Sequence, residues 1–153
     1  MEDLFCNYNQ AVALKELGFN EPCLLEQYVE DGKQVTEWAW GEPFKTNQDL
    51  NEHVDELNEN SDDEHFEYSV TIPLNSQVFK WFRDTYKIQG FIKSYTVRGG
   101  NGSQNFCDYI YVINGIGMNV IQTDARDGQF KTYEQAESAC IDKLISIVKE
   151  KKS

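Results

Sequence analysis

From Asn7 onward the chain shows a helical period. Ala11, Leu14 and Leu17 fall on one face, Asn7 and Gln10 are spaced as an opening pair, and Gly18-Phe19 forms a stop. Two β-rich runs follow, CLLEQYV (23–29) and QVTEWAW (34–40). The Asp31-Gly32 pair between them predicts a hairpin. EYSVTIPL (67–74) reads as a strand ending at Pro73. Asn75 then stands where it can cap a helix over SQVFKWFRDTY (76–86). Its stripe is Val78, Phe82 and Tyr86 with Phe79 on the flank, while Trp81 points elsewhere, so this helix is expected to be clasped on more than one side.

Three further strand-like runs come next: GFIKSYTV (90–97), NFCDYIYVI (105–113) and GMNVIQT (117–123). RGGNGSQ (98–104) reads as a flexible turn, and Asn114-Gly115 as a tight hairpin turn needing positive φ. Thr132 with Gln135 predicts a capped helix reaching about Lys149. Its buried stripe is Tyr133, Ala136, Cys140, Leu144 and Ile147, widened by Ile141, Ile145 and Val148, and lysines at its end complement the dipole.

The pattern therefore predicts an α+β fold with one core, an antiparallel sheet of roughly four to five strands and two or three helices. Residues 1–153 are expected to form a single domain. Its parts are a helix plus hairpin (1–45), a mobile acidic insertion (46–66) and a helix–three strands–helix core (67–150), both core helices on one sheet face.

Charge changes this picture in one place. Between Lys45 and Lys80 there is no Lys or Arg, and Asp49, Glu52, Asp55, Glu56, Glu59, Asp62, Asp63, Glu64 and Glu67 make nine acids. The chain has 26 acids and 14 bases, a net of −12; without the nine the balance is 17 against 14. Val54 and Leu57 permit a short helix there that would bury almost nothing. Forty per cent hydrophobic and 13% aromatic is too rich for a disordered chain, and 153 residues suffice for a real core. The opening MEDLFCNYNQ has acids where an export signal needs a basic region, and no apolar run spans a membrane, so no membrane partner is expected. Cys6, Cys23, Cys107 and Cys140 lack CxxC spacing and sit in apolar contexts, as reduced structural thiols do.

Candidate chemistry is sparse. The two histidines, His53 and His65, both lie in the acidic insertion, and RGGNGSQ matches no phosphate-binding loop. Asn58, Asn60 and Asp62 recur as calcium ligands do. The sixth position is Asp63 instead of glycine, however, and the twelfth is Ser69 instead of glutamate. No metal, cofactor or catalytic residue is assigned, and no enzyme activity is expected. An enzyme would need Asp108, Tyr109 and Tyr111 to converge in a pocket.

Two surfaces of opposite sign remain. Lys80, Trp81, Arg83, Lys87, Lys93 and Arg98 form a candidate interaction face, since cations among aromatics can follow a phosphate backbone and stack bases. The helix–three strands–helix order resembles the double-stranded-RNA-binding arrangement, but Thr132, Tyr133 and Glu134 stand where such domains are basic. The candidate acidic surface is Asp55, Glu56, Glu59, Asp62, Asp63 and Glu64, which could imitate phosphates in a basic groove.

The blocks ALKELGF-x-EPC (13–23), VFKWFRDTY (78–86) and FKTYEQAESACIDKLISIVK (130–149) together resemble small uncharacterised proteins encoded by phages, prophages and mobile elements of Bacteroidetes. The resemblance implies origin and a place in the cytoplasm of a bacterial host. The resulting expectation is a non-catalytic accessory protein that binds a host or phage protein. Nucleic-acid binding through Lys80–Arg98, or an acidic mimic that inhibits a host protein, is the alternative. Nucleic acid is not expected as a partner at physiological salt, given the net charge. Oligomeric state is left open.

Overall fold

The computed structural model describes residues 2–30, 33–38, 45–52, 69–97, 106–123 and 130–152. The fold is α+β, as the pattern predicts. The strands form two antiparallel three-stranded sheets instead of one sheet of four to five. The chain divides into two compact units, residues 1–74 and 75–153.

In the first unit a short 3₁₀ turn (Glu2–Leu4) leads to helix α1 (Tyr8–Leu17). Asn7 caps it: the Asn7 side chain accepts from the Gln10 N–H at 3.0 Å, and the Gln10 side chain accepts from the Asn7 N–H at 3.2 Å. At the other end Phe19 N–H donates to Leu14 O and Gly18 N–H to Lys15 O, with Gly18 left-handed at φ 96°. Strands β1 (Leu25–Glu30) and β2 (Lys33–Trp38) pair with Glu30 opposite Lys33. The hairpin turn between them lies outside the described residues.

Strand β3 (Ser69–Ile72) pairs with the free side of β1, giving the order β2-β1-β3. This is why two sheets arise. Val70 and Ile72 bury against Ala11 of α1 and Leu25 of β1, with Phe5, Tyr8 and Val12 packed around them. Cys6 N–H donates to Pro73 O at 3.0 Å, tying the segment to the N-terminus. A hairpin too small to stand alone thus acquires a third strand and a covering helix.

The first seven residues of the expected acidic insertion are folded. Thr46 and Asp49 cap a helix, α2, seen over 47–52. The Asp49 carboxylate accepts from Thr46 N–H and hydroxyl, both at 2.8 Å, and Thr46 Oγ1 accepts from Asp49 N–H at 3.2 Å. Leu50 is buried. Asn47, also buried, donates to Phe19 O at 2.8 Å and accepts from Thr71 N–H at 3.0 Å, which locks the end of α1 to β3. The remainder of the insertion, 53–66, lies outside the described residues.

The second unit runs α3 (Asn75–Tyr86), β4 (Ile88–Val97), β5 (Phe106–Gly115), β6 (Ile121–Gln122) and α4 (Tyr133–Lys152). Both helices cover one face of the β4-β5-β6 sheet. A Cβ on Gly90 of β4 would come within 2.9 Å of Phe79 from α3 and 2.8 Å of Cys140 from α4. The helices run in the same direction, because Asn75 donates to Glu137 at 2.9 Å near their starts and Lys152 lies 5.7 Å from the Tyr86 ring near their ends. The predicted α4 stripe is correct at Ala136, Cys140, Ile141, Leu144, Ile145, Ile147 and Val148, all buried, while Tyr133 is exposed.

Two turn assignments shift. Asn75 opens α3 as its first helical residue instead of preceding it. Asn114 and Gly115 are not a turn but the last two rungs of β5, opposite Gln89 and Ile88. Lys87 leaves α3 at φ 57°, so β4 begins two residues earlier than expected and keeps 114–115 in the ladder. The reversal moves to Gly115–Met118, where Met118 N–H donates to Gly115 O at 3.4 Å and Gly117 supplies the positive φ of 74°.

Candidate functional site

The cationic face is built on the C-terminal half of α3. Helical spacing sets Lys80 over Asp84, and their side chains meet at 2.8 Å. Arg83 Nε lies 3.7 Å from the same carboxylate, and Lys87 Nζ donates to Asp84 O at 2.7 Å, closing the helix end. The hydrogen bond from Lys80, then the neighbouring cations, hold the Asp84 carboxyl below its ordinary range. Two cations share the Asp84 carboxylate and a third bonds the Asp84 carbonyl at the negative end of a helix, an arrangement that the dipole and the cap account for.

Trp81 does not belong to this face. It is 7% exposed, edge-on to Phe82 at 5.0 Å and to Tyr86 at 5.2 Å. The sequence reading set it off the Val78–Phe82 stripe of a helix clasped on more than one side, yet also counted it in the cationic face. The helix buries a second side, so its indole is core and cannot stack a base. Lys93 lies on β4 three residues from Gly90, on the sheet face away from the helices. The structure therefore gathers Lys80, Arg83 and Lys87, sets Lys93 apart and withdraws Trp81. Arg98 lies outside the described residues.

The candidate acidic surface Asp55, Glu56, Glu59, Asp62, Asp63 and Glu64 also lies outside the described residues, as do His53 and His65. Of the nine acids in the run, Asp49 has a structural task. Its carboxyl sits below the ordinary range because Thr46 donates to it from the backbone and the hydroxyl.

Asp108, Tyr109 and Tyr111 do not converge. Strand alternation sends Asp108 to one face of β5 and both tyrosines to the other. There Tyr109 meets Tyr133 edge-on at 6.1 Å, and Tyr111 stacks on Phe130 at 6.2 Å. Asp108 is buried, with its side chain 1% exposed, and takes both oxygens to Lys131 Nζ at 2.9 and 3.1 Å; the Lys131 side chain is 66% exposed. A carboxylate so paired is neutralised, which removes it as a free general base. Across the ladder Tyr95 faces Asp108, and its hydroxyl is buried without a hydrogen-bond partner among the described residues. Desolvation, then the Asp108 charge, raises the Tyr95 pKa. Lys131 escaped the sequence reading because 23 residues separate it from Asp108. The available signal was a lone acid amid apolar strand residues, which demands a cation from somewhere.

Two of the thiols, Cys23 and Cys140, are poor nucleophiles. Burial raises Cys23 to about 11 and Cys140 to about 12, so thiolate is scarce at neutral pH. Among the described residues no group of three His, Cys, Asp or Glu side chains gathers as a metal would require. No helix among them is long and apolar enough to cross a membrane. Searches of family models, curated proteins and solved structures find no match to this chain.

Proposed function

We propose that this protein is a non-catalytic accessory protein of a phage or mobile element, acting in the host cytoplasm by binding another protein whose contact surface is basic. One observation carries the reading: the charge is segregated between the two units. Residues 1–74 hold 18 acids and 3 bases, and residues 75–153 hold 8 acids and 11 bases. Even without the nine acids of the 49–67 run, the first unit keeps nine acids against three bases. A surface of this sign draws a basic partner and repels phosphates.

Direct nucleic-acid binding is the weaker reading, because Lys80, Arg83 and Lys87 converge on Asp84 and Trp81 is buried. The acidic mimic is a special form of the leading one, in which Asp55, Glu56, Glu59, Asp62, Asp63 and Glu64 occupy a groove meant for phosphates.

The test is capture from host lysate on the immobilised protein, with salt elution and identification of what is released. A deletion of 53–64 removes those six carboxylates and spares Leu50, whereas one starting at 48 would remove a buried residue. The expected outcome is a basic protein retained by the intact chain, eluted by salt and lost with the deletion. Tight binding of the intact chain to duplex DNA or RNA at physiological salt would sink the proposal.

A further inference from the structure

Strand β4 is ten residues long, and among the described residues it is hydrogen-bonded to β5 alone. No described residue bonds its other edge. A free edge of this length is about twice an ordinary strand. Protein edges are usually blunted by charges, prolines or bulges. Here the register from Ile88–Gly115 to Val97–Phe106 is continuous, and Lys93 is the single charge.

The parity of the edge can be read off β5. Tyr109 exchanges hydrogen bonds with Phe130, and Tyr111 O accepts from Thr123 N–H, so these main chains face away from β4. The β5 residues bonded to β4 are then Asp108, Ile110 and Val112, opposite Tyr95, Lys93 and Phe91. It follows that Ile88, Gly90, Ile92, Ser94 and Thr96 direct their N–H and C=O groups to the open edge.

We infer that this edge pairs with the β4 of a second copy of the chain, antiparallel about a two-fold axis, joining two sheets into one of six strands. Parity allows only registers that set even-numbered residues opposite even-numbered ones. Two of them overlap over nine residues. One, centred on Lys93, places two ammonium groups directly opposite, which is unfavourable. The other, centred on Ile92, sets Gly90 against Ser94 and Ile88 against Thr96. It also lays each Lys93 against Phe91 of the other copy, an aromatic ring left 41% exposed in the single chain. The strand is thus complementary to itself in one register, as a closed two-fold contact requires. The unit carrying it has 11 bases and 8 acids, so the heavy acidity of the chain lies in the other unit. Like charge on the two acidic units opposes the encounter only at long range, where salt screens it.

This inference is independent of the basic partner proposed above, and salt separates the two. Self-association should strengthen as salt rises, whereas the proposed partner is released. Sedimentation velocity on the intact chain should show a dimer at tens of micromolar. Ser94→Pro removes one outward N–H and a proline is tolerated on a free edge, so this variant should keep the wild-type circular dichroism and be monomeric. If it fails to fold, Phe91→Lys decides. That change sets lysines opposite each other and should weaken the dimer about tenfold, with Lys93→Glu added to it restoring the affinity. A mixture of Phe91→Cys and Lys93→Cys chains should cross-link on oxidation, and neither should do so alone. A monomeric wild type, a folded Ser94→Pro that still dimerises, or cross-linking by Lys93→Cys alone would overturn the inference.

Discussion

The two units solve the same problem by different means. The first is acidic and pinned by polar side chains: Asn47 bridges Phe19 and Thr71, and Lys15 Nζ donates to Asn51 Oδ1 and to Ser69 O, each at 2.7 Å. The second rests on two amphipathic helices pressed onto one sheet face, close enough that only glycine fits at position 90. Among the described residues four of the six buried polar ones, Gln10, Asn47, Ser69 and Thr71, lie in the first unit. Where a short hairpin cannot bury enough apolar area, directed hydrogen bonds hold its covering elements in place. Where long helices supply a wide stripe, close packing suffices.

The contrast can be broken from either side. Cys140→Asp puts an unpaired carboxylate among the buried residues of α4 and should cost about 3–5 kcal/mol, read by urea unfolding. A loss below about 1 kcal/mol would mean that the stripe is not closed. Asn47→Ala should cost about 2–4 kcal/mol, because Thr71 N–H and Phe19 C=O lose their partner together. Its damage should appear as faster amide exchange in β3 and α1, with β4 and β5 unchanged; equal loss in both units would contradict separate holding.

Gly90→Ala should cost about 1–3 kcal/mol by crowding Cys140, Phe79 and Leu144. The same change made in Cys140→Ala should cost measurably less, since the nearest clashing atom is gone. Additive losses would show that position 90 responds to something other than this contact. Lys87→Gly relieves a left-handed residue at a helix end and should change stability by under about 1 kcal/mol, a gain offset by the lost bond to Asp84 O.

The smallest effect concerns pH. Burial, ahead of the nearby Glu134 charge, raises the Glu137 carboxyl, although Asn75 donates to it. The folded state therefore holds this proton more tightly than the unfolded chain does. Its contribution favours folding below the ordinary glutamate pKa and is lost as pH rises through the raised value. Glu137→Gln removes that dependence, so the variant should gain up to about 0.5 kcal/mol on wild type at pH 7, with solvent screening keeping the gain small. The gain should vanish near pH 4. A variant less stable at pH 7 would show that the ionised carboxylate is the better partner for Asn75.

Local chemistry was legible without coordinates wherever it acts over one turn of chain. The cap at Asn7, the stop at Gly18-Phe19, the hairpin pairing and the α4 stripe all follow from spacings of three or four residues, or from strand alternation, and each stands as read apart from the exposed Tyr133 of the stripe. The α+β class follows from the same periods. What spacing cannot carry is the choice between partners far apart in sequence. That β3 joins the N-terminal hairpin, that Asn47 bridges two elements, that Trp81 is core and that Asp108 meets Lys131 were decided by tertiary contacts, because burial demands a partner without naming one. The Asn114-Gly115 turn failed for the same reason. Its local preference for a reversal is worth little against two further rungs of a ladder, and the rungs were secured by a lysine at φ 57° just before the opposite strand.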